Sequence, residues 1–178
     1  MSAPPILIVT GPAGAGKTTL ARRLAETSPP PAVHLHTDDF FAAIRSGYIE
    51  PWRPESHPQN LVVRKVILAA AGAYATGGFR VVVDGVLGPW ALDEFRDGVR
   101  ALGLGLDYVV LRPTREIAVA RARDREVAAL TDYPAGHFES FAELGPLEGH
   151  VIDSGAASLE ELATLVREGS AAGRFRLV

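Results

Sequence analysis

The stretch ILIVTGPAGAGKTTLARRLAE, residues 6 to 26, decides the fold. Five apolar or β-branched residues lead into the pattern G-x-x-x-x-G-K-T over residues 11 to 18, and apolar residues at helical spacing follow. A buried strand, a glycine-rich turn and an amphipathic helix, in that order, are the context in which this pattern binds phosphate groups. The alternative is a glycine-rich turn that binds nothing. It leaves unexplained why one of only two lysines in the chain stands where the pattern requires a lysine.

The predicted phosphate-binding loop indicates a nucleoside triphosphate with Mg²⁺, and we expect ATP. Its glycines allow successive backbone N–H groups to point at phosphate oxygens, and the dipole of the following helix favours the same negative charge. Lys17 would contact the β and γ phosphates, and the Thr18 hydroxyl would ligate Mg²⁺. The predicted nucleotide contacts in the loop are Gly11, Ala13, Gly14, Ala15, Gly16, Lys17, Thr18 and Thr19.

Strand-length apolar runs alternate with helical patterns along the whole chain. Further strands are predicted at VHLH (33 to 36), FRVVVD (79 to 84), LDYVVL (106 to 111) and HVID (150 to 153). Helices are predicted near 17 to 26, 40 to 46, 58 to 76, 89 to 102, 114 to 128 and 158 to 169. Such alternation predicts a three-layer α/β fold with a parallel sheet, whose ligands bind at the carboxyl ends of the strands.

Composition narrows the class of protein. A chain of 178 residues favours a single domain over residues 1 to 178, and a net charge of −3 without a basic run makes nucleic acid a poor partner. The absence of cysteine excludes thiolate catalysis and disulfides. The N-terminal apolar run of five residues is too short for a signal peptide or a membrane span, so we expect a cytoplasmic protein.

Asp84 ends the predicted strand VVVD, a position at which a carboxylate can help to hold Mg²⁺ beside a phosphate-binding loop. The alternative is an aspartate that only begins a turn with Gly85. The first interpretation is favoured because the phosphate-binding loop precedes it in the same chain.

Four segments together resemble the small P-loop kinases: GPAGAGKTT, the aspartate-bearing turn TDDF, VVVDG and the arginine-rich LRPTREIAVARARDR. These kinases include gluconate and shikimate kinases, zeta-type toxins and, most similar in these motifs, chloramphenicol phosphotransferase. HLHTDDFF and EPWRPESHPQN also resemble a group of uncharacterised bacterial relatives. The resemblance implies a P-loop NTPase fold with five parallel strands in the order 2-3-1-4-5.

The resemblance also implies a role for Asp38. The aspartate that follows strand two in chloramphenicol phosphotransferase aligns with Asp38 of TDDF, so we expect Asp38 to orient and deprotonate the acceptor hydroxyl. Asp39 directly precedes the predicted helix 40 to 46 and would cap its first N–H groups. An alignment shifted by one residue would exchange the two roles.

Residues 40 to 60 are predicted to form the acceptor-binding region, and His36 and Asp38 lie just before it. His34 and His36 share one face of their strand and could form a metal site with the aspartates, but His36, nearer the strand end, is the better substrate contact. Phe40 and Phe41 are more simply core residues. The predicted substrate contacts are Asp38, His36, Trp52, Arg53 and His57.

The arginine-rich helix and the last strand supply the other predicted contacts. In the kinases that the chain resembles, arginines at this place flank a lid. The resemblance therefore implies that Arg121 contacts the nucleotide and that Arg125 is catalytic together with Lys17 and Asp38. Arg123 is more simply part of a solvated charged face. The lid would span 127 to 136. Ser154, Gly155 and Ala156 would form the loop on which adenine rests.

These expectations combine into an ATP- and Mg²⁺-dependent phosphotransferase that acts on a hydroxyl of a small molecule, an antibiotic-like compound being one candidate. A nucleotide-binding switch or NTPase that transfers phosphate to water is the alternative from another class. A nucleoside, sugar or nucleotide-sugar kinase is the alternative within the class. The acceptor, the purine preference and the oligomeric state stay open.

Overall fold

The protein is described by a computed structural model, which covers residues 3–123 and 136–178. Five parallel strands form one sheet in the order β2-β3-β1-β4-β5, as predicted. The strands are β1 (Ile6–Thr10), β2 (Ala32–His36), β3 (Arg80–Asp84), β4 (Leu106–Leu111) and β5 (Val151–Ile152). The carboxyl ends of β1 and β3, flanking each other at the centre of the sheet, carry the phosphate-binding loop and Asp84.

Helices occupy the predicted connections, and one further short helix, α6, was not predicted. They are α1 (Lys17–Glu26), α2 (Thr37–Ala42), α3 (His57–Thr76), α4 (Leu92–Ala101), α5 (Arg115–Arg123), α6 (Gly136–Glu139) and α7 (Leu159–Ala171). Short 3₁₀ turns lie at Pro54–Ser56, Pro89–Ala91 and Gly145–His150. Within residues 3–123 and 136–178, no helix has both the length and the apolar character that crossing a membrane requires.

Alternate residues of the strands pack on opposite faces of the sheet, as the period of two requires. On one face, Ile8 and Tyr108 join α3 and α4 through Ile67 and Phe95. On the other face, strand residues such as Val9 and Val109 pack against Leu20 of α1 and Val166 of α7. Burial on both faces explains why these strands are almost continuously apolar in sequence.

The helix after β2 differs from the prediction, and so does the role of Asp39. The helix spans Thr37–Ala42 rather than 40 to 46, because the chain turns into it directly after the extended residue His36. Buried Thr37 packs over Gly85, where an added Cβ would lie 1.8 Å from the Thr37 hydroxyl oxygen. Asp39 therefore lies inside the first turn, and no side chain caps this helix. The prediction that Asp39 is the capping residue is wrong.

The last residues of the chain extend the sheet in a way that the sequence did not indicate. Beyond the two-residue β5, the chain returns antiparallel to β4, with Tyr108 N–H donating to Phe175 O (2.9 Å) and Leu177 N–H to Leu106 O (2.8 Å). Arg176 Nε donates to the buried Asp107 carboxylate at 2.6 Å. The tail thereby supplies hydrogen-bond partners for the backbone groups of β4 that the short β5 does not reach.

Candidate active site

The phosphate-binding loop depends on glycine at positions where its backbone meets other backbone. Gly11 (φ 141°) and Gly14 (φ 75°) adopt conformations that favour glycine. A Cβ at either position would lie 2.1 Å from a carbonyl oxygen, of Leu111 at the end of β4 and of Ala118 in α5 respectively. The loop is thus wedged between β4 and α5, which fixes the direction of its N–H groups.

Lys17 and Thr18 begin α1 directly after Gly16, whose left-handed backbone (φ 93°) precedes the helix. Lys17 Nζ donates to Pro12 O of the same loop at 2.9 Å, so the ammonium lies over the loop. Thr19 is exposed in the same first turn. The predicted loop residues therefore lie together at the N-terminus of one helix, where anions are favoured.

Asp84 is fully buried and accepts hydrogen bonds on both oxygens. The Thr18 hydroxyl donates to one oxygen at 2.7 Å, while His34 Nε2 and His36 Nδ1 lie 2.5 and 3.0 Å from the other. Burial opposes ionisation, but the hydrogen bonds from His34, His36 and Thr18 outweigh it and hold the pKa of Asp84 far below its ordinary value. The hydrogen bond to Asp84 also raises the pKa of His36, against the effect of its partial burial.

The Thr18 hydroxyl and the Asp84 carboxylate suit Mg²⁺, which prefers oxygen ligands. Their contact at 2.7 Å places both oxygens beside the phosphate-binding loop, as the prediction requires. His34, His36 and Asp84 are also close enough to hold a transition metal, with ligand atoms within 4.8 Å of one another. In the structure, however, both imidazoles bind the Asp84 oxygen itself, so they position that carboxylate.

A cavity of about 760 Å³ opens beside Lys17 and Thr18, at the carboxyl edge of β2 and β3. Its volume is in the range of small-molecule sites. Asp38 lies on its wall with a well-exposed carboxylate, and His36 Nε2 is 3.5 Å from an Asp38 oxygen. The polar and aromatic residues of the wall are His36, Thr37, Asp38, Phe41, Tyr48, Trp52, Asn60, Arg64 and Trp90.

The structure brings only part of the predicted acceptor site to this cavity. His36, Asp38 and Trp52 line it, whereas Arg53 and His57 are not among the described lining residues. Arg53 instead pairs with Glu50 at 2.9 Å on the surface, and His57 is exposed at the start of α3. Phe41 both lines the cavity and packs against the core, so the two interpretations of this residue are compatible.

Two polar or aromatic residues of the wall, Arg64 and Trp90, lie outside the predicted acceptor region, whereas Tyr48 and Asn60 lie within it. Asn60 and Arg64 lie four apart on α3, and Ile67 continues the same face, so helical spacing was a usable signal. Trp90 follows β3 in the turn GPW, at the sheet edge where ligands were expected.

The predicted adenine loop is joined to both the phosphate-binding loop and α5. Ser154 is buried and its hydroxyl donates to Ala15 O at 2.9 Å. Arg121 donates to Ser154 O (2.9 Å) and Gly155 O (3.1 Å), and Ala156 is exposed beside them. Arg125 and nearly all of the predicted lid, residues 127–135, lie outside the described residues.

The fold and this loop geometry define the class of protein as a P-loop protein with the architecture of the small P-loop kinases. Residues 6–144, more than half of the chain, match the family model AAA_33, described as an AAA domain. The chain belongs to this family. No curated protein matches it in sequence.

Solved structures with similar folds span nearly the whole chain. A sugar kinase from Janibacter sp. HTCC2649 is 22% identical, with 96% of this chain and 98% of that chain covered and a TM-score of 0.67. The tunicamycin resistance protein of Deinococcus radiodurans is 18% identical, with coverages of 95% and 96% and a TM-score of 0.66. A gluconokinase from Sinorhizobium meliloti 1021 is 21% identical, with coverages of 97% and 94% and a TM-score of 0.61. The predicted resemblance to small P-loop kinases is confirmed at the level of the fold.

Proposed function

We propose that the protein is an ATP- and Mg²⁺-dependent phosphotransferase that moves the γ-phosphate to a hydroxyl group of a small molecule. The observation that carries the proposal is the cavity of about 760 Å³, which opens directly onto Lys17 and Thr18 and has Asp38 on its wall. A protein that transfers phosphate only to water needs no cavity of this size beside the phosphate-binding loop.

The residues divide the work of phosphoryl transfer, which requires positioning and neutralisation of charge. Lys17 and the backbone N–H groups of the loop bind the phosphates, and Thr18 with Asp84 would hold Mg²⁺. When bound, Mg²⁺ neutralises charge on the transferred group and on the leaving group. Asp38 orients the acceptor hydroxyl and accepts its proton, and His36, between Asp84 and Asp38, holds the Asp38 carboxylate in place.

On the nucleotide side, Arg121 supports the loop of Ser154 and Gly155, which we propose binds the adenine together with Ala156. We also propose that Arg125 takes part in catalysis, as the resemblance implies. Proteins of similar fold include a sugar kinase, a gluconokinase and a tunicamycin resistance protein, which supports a small-molecule acceptor and keeps an antibiotic-like compound as a candidate. A cytoplasmic location, where ATP is supplied, stays part of the proposal.

The test is to follow the γ-phosphate itself. The protein is incubated with γ-labelled ATP, Mg²⁺ and pools of hydroxyl compounds, and the label is separated into organic phosphate and inorganic phosphate. We expect a pool that yields labelled organic phosphate, and Lys17→Ala should abolish that product because the phosphates lose their cationic contact. Label that appears only as inorganic phosphate with every pool would contradict the proposal and favour the NTPase alternative.

A further inference from the structure

Aromatic rings form much of the acceptor side of the cavity. Phe41, Tyr48, Trp52 and Trp90 come from α2, the loop after it and the turn after β3. Tyr48 is 45% exposed and Trp90 50%, so both rings keep apolar surface that a ligand in the cavity can cover. Trp90 is held in place by edge-to-face packing on the buried Phe141, with ring centroids 5.9 Å apart. The rings thus offer a preformed surface for another flat, apolar group.

The one described guanidinium on this wall is already neutralised. Arg64 Nε donates to Glu94 at 2.6 Å and a terminal nitrogen donates to the other Glu94 oxygen at 3.0 Å, which is the bidentate arrangement. The Arg64 side chain is 12% exposed, so it is held in this geometry. The hydrogen bonds from Arg64 also lower the pKa of Glu94, and the pair therefore stays ionised and adds no net charge to the wall.

The other charged lining residues do not favour a negatively charged acceptor. Lys17 lies at the phosphate end, where ATP requires it, His36 already contacts the carboxylates of Asp84 and Asp38, and Asp38 is itself a carboxylate. An acidic sugar or a phosphorylated compound would place its own negative charge near Asp38 and against aromatic rings. Desolvating a charge without a partner is costly.

We infer that the acceptor is an uncharged alcohol that carries a flat ring system, rather than a sugar acid or a phosphorylated compound. The inference rests on the proposed function and names its class of substrate. The ring stacks among Trp52, Trp90 and Tyr48, and the hydroxyl faces Asp38. Glu94 disfavours anionic acceptors, because it occupies the two guanidinium N–H groups of Arg64 that a substrate carboxylate would otherwise bind.

The two tryptophans allow binding to be measured without turnover. Trp52 and Trp90 are the only tryptophans in the chain, and both line the cavity. With a non-hydrolysable ATP analogue and Mg²⁺ present, tryptophan emission is titrated with 2-(4-methylphenyl)ethanol and with 2-(4-carboxyphenyl)ethanol, which differ chiefly in one negative charge. The neutral probe should bind at least about tenfold more tightly, equivalent to about 1.4 kcal/mol. Equal affinity, or tighter binding of the carboxylate, would overturn the inference.

Glu94→Gln tests the stated cause of this preference. Removing the Glu94 charge frees Arg64, so the affinity ratio of the two probes should shift by about tenfold towards the carboxylated probe. Asp93→Asn is the matched control, because it removes the same charge from the adjacent residue, which pairs with Arg96 rather than Arg64. An unchanged ratio in Glu94→Gln, or the same shift in Asp93→Asn, would show that Glu94 does not set the preference.

Should Glu94→Gln not fold, the double variant Arg64→Gln/Glu94→Gln removes both charges together. It should retain the preference for the neutral probe, and loss of the preference would contradict the inference.

The outcomes also distinguish failure of the inference from failure of the proposed function. Phosphorylation of a sugar acid such as gluconate without binding of the neutral probe would overturn the inference and leave the function standing. Binding of the neutral probe, with label released only as inorganic phosphate from every pool, would overturn the proposed function, and only the binding preference of the cavity would remain.

Discussion

Asp38 and Asp39 are adjacent carboxylates in the first turn of one short helix, yet only Asp38 lines the cavity. Consecutive helical residues point about 100° apart, so the two side chains cannot face the same ligand equally. His36 Nε2 lies 3.5 Å from Asp38, which further distinguishes the two carboxylates. Both negative charges still interact favourably with the dipole of α2, because they lie near its N-terminus.

Asp38→Asn should lower kcat by about 10²- to 10⁴-fold while the affinity for ATP stays unchanged, because the proton of the acceptor hydroxyl loses its base. Asp39→Asn is the control, since it removes the same charge from the same turn. The measurement compares steady-state kinetics with calorimetry of ATP binding. A larger loss of kcat in Asp39→Asn would assign the role to Asp39.

At the residue scale, the sequence identified side chains whose role follows from local pattern. Lys17, Thr18 and Asp84 stand at fixed positions relative to a glycine loop or a strand end, and the structure places them together. Arg64 was not identified: its spacing from Asn60 places both on one face of α3, but only the packing of α3 across the sheet shows that this face borders the cavity. The prediction for Asp39 failed for the same reason. A capping role depends on where the helix begins, and this helix begins at Thr37, which packs over Gly85.

The geometry of the phosphate-binding loop is constrained by the elements that pack against it. Gly14 and Gly16 both have positive φ, of 75° and 93°, but only Gly14 would bring a Cβ into contact with another backbone. At Gly16 no atom lies within 4 Å of the added Cβ. Substitutions at the two glycines therefore distinguish two contributions to the loss of stability: an unfavourable backbone conformation alone at Gly16, and the same conformation plus a steric clash at Gly14.

Gly16→Ala should cost about 1–2 kcal/mol, the strain of placing an L-residue in the left-handed region. Gly14→Ala should cost more, because α5 must also move away from the new methyl group. For a protein of this size each kcal/mol lowers Tm by about 2–4 °C, so thermal denaturation without nucleotide will resolve the difference. Equal values of Tm for the two variants would contradict the packing of the loop against α5.

Arg121→Ala should raise the Kd for ATP by about tenfold, since the loop of Ser154 and Gly155 loses two charge-assisted hydrogen bonds. Arg115→Ala is the control, because Arg115 is an exposed arginine on the same helix. Calorimetry with ATP and Mg²⁺ measures both. A fall in Tm without a change in Kd would show that Arg121 supports the fold alone.

On the scale of the whole molecule, ion pairs hold the later part of the chain to the sheet. Arg112, just after β4, donates to both oxygens of Glu148 at 2.9 and 2.7 Å and to the carbonyls of Phe141 and Ala142. The hydrogen bonds from Arg112, with another from Leu144 N–H, lower the pKa of Glu148 to about 2. The carboxylate thus connects the end of β4 with the segment that leads into β5.

A carboxylate whose pKa is lower in the folded state adds stability above its unfolded pKa, and this contribution is lost as the pH falls through the folded pKa. Glu148→Gln should therefore lower the free energy of unfolding at pH 7, and the deficit relative to the natural protein should shrink between about pH 4.5 and pH 2. Denaturant titrations at several pH values measure it, with exposed Glu143→Gln as control. A deficit independent of pH would mean that the ion pair contributes nothing.

The sheet order followed from the resemblance and was confirmed, whereas the antiparallel tail was not foreseen. The tail is specified by Phe175, which is fully buried, and by Arg176, which meets Asp107. Neither residue forms a periodic pattern in its short segment. Contacts between distant parts of the chain decide such an element, and local sequence carries little information on them.

Apart from the phosphate-binding loop, every described wall residue of the cavity comes from residues 36–90, and Glu94 follows shortly after. The proposed nucleotide side, by contrast, draws on residues 11–18 and on Arg121, Ser154 and Gly155, which are far apart in the chain and in contact in the fold. One continuous stretch of the chain therefore carries the proposed acceptor wall, and Asp84 lies within the same stretch. Exchanging this stretch between relatives would exchange the acceptor wall together with one proposed Mg²⁺ ligand, while Lys17, Thr18 and Arg121 would stay unchanged.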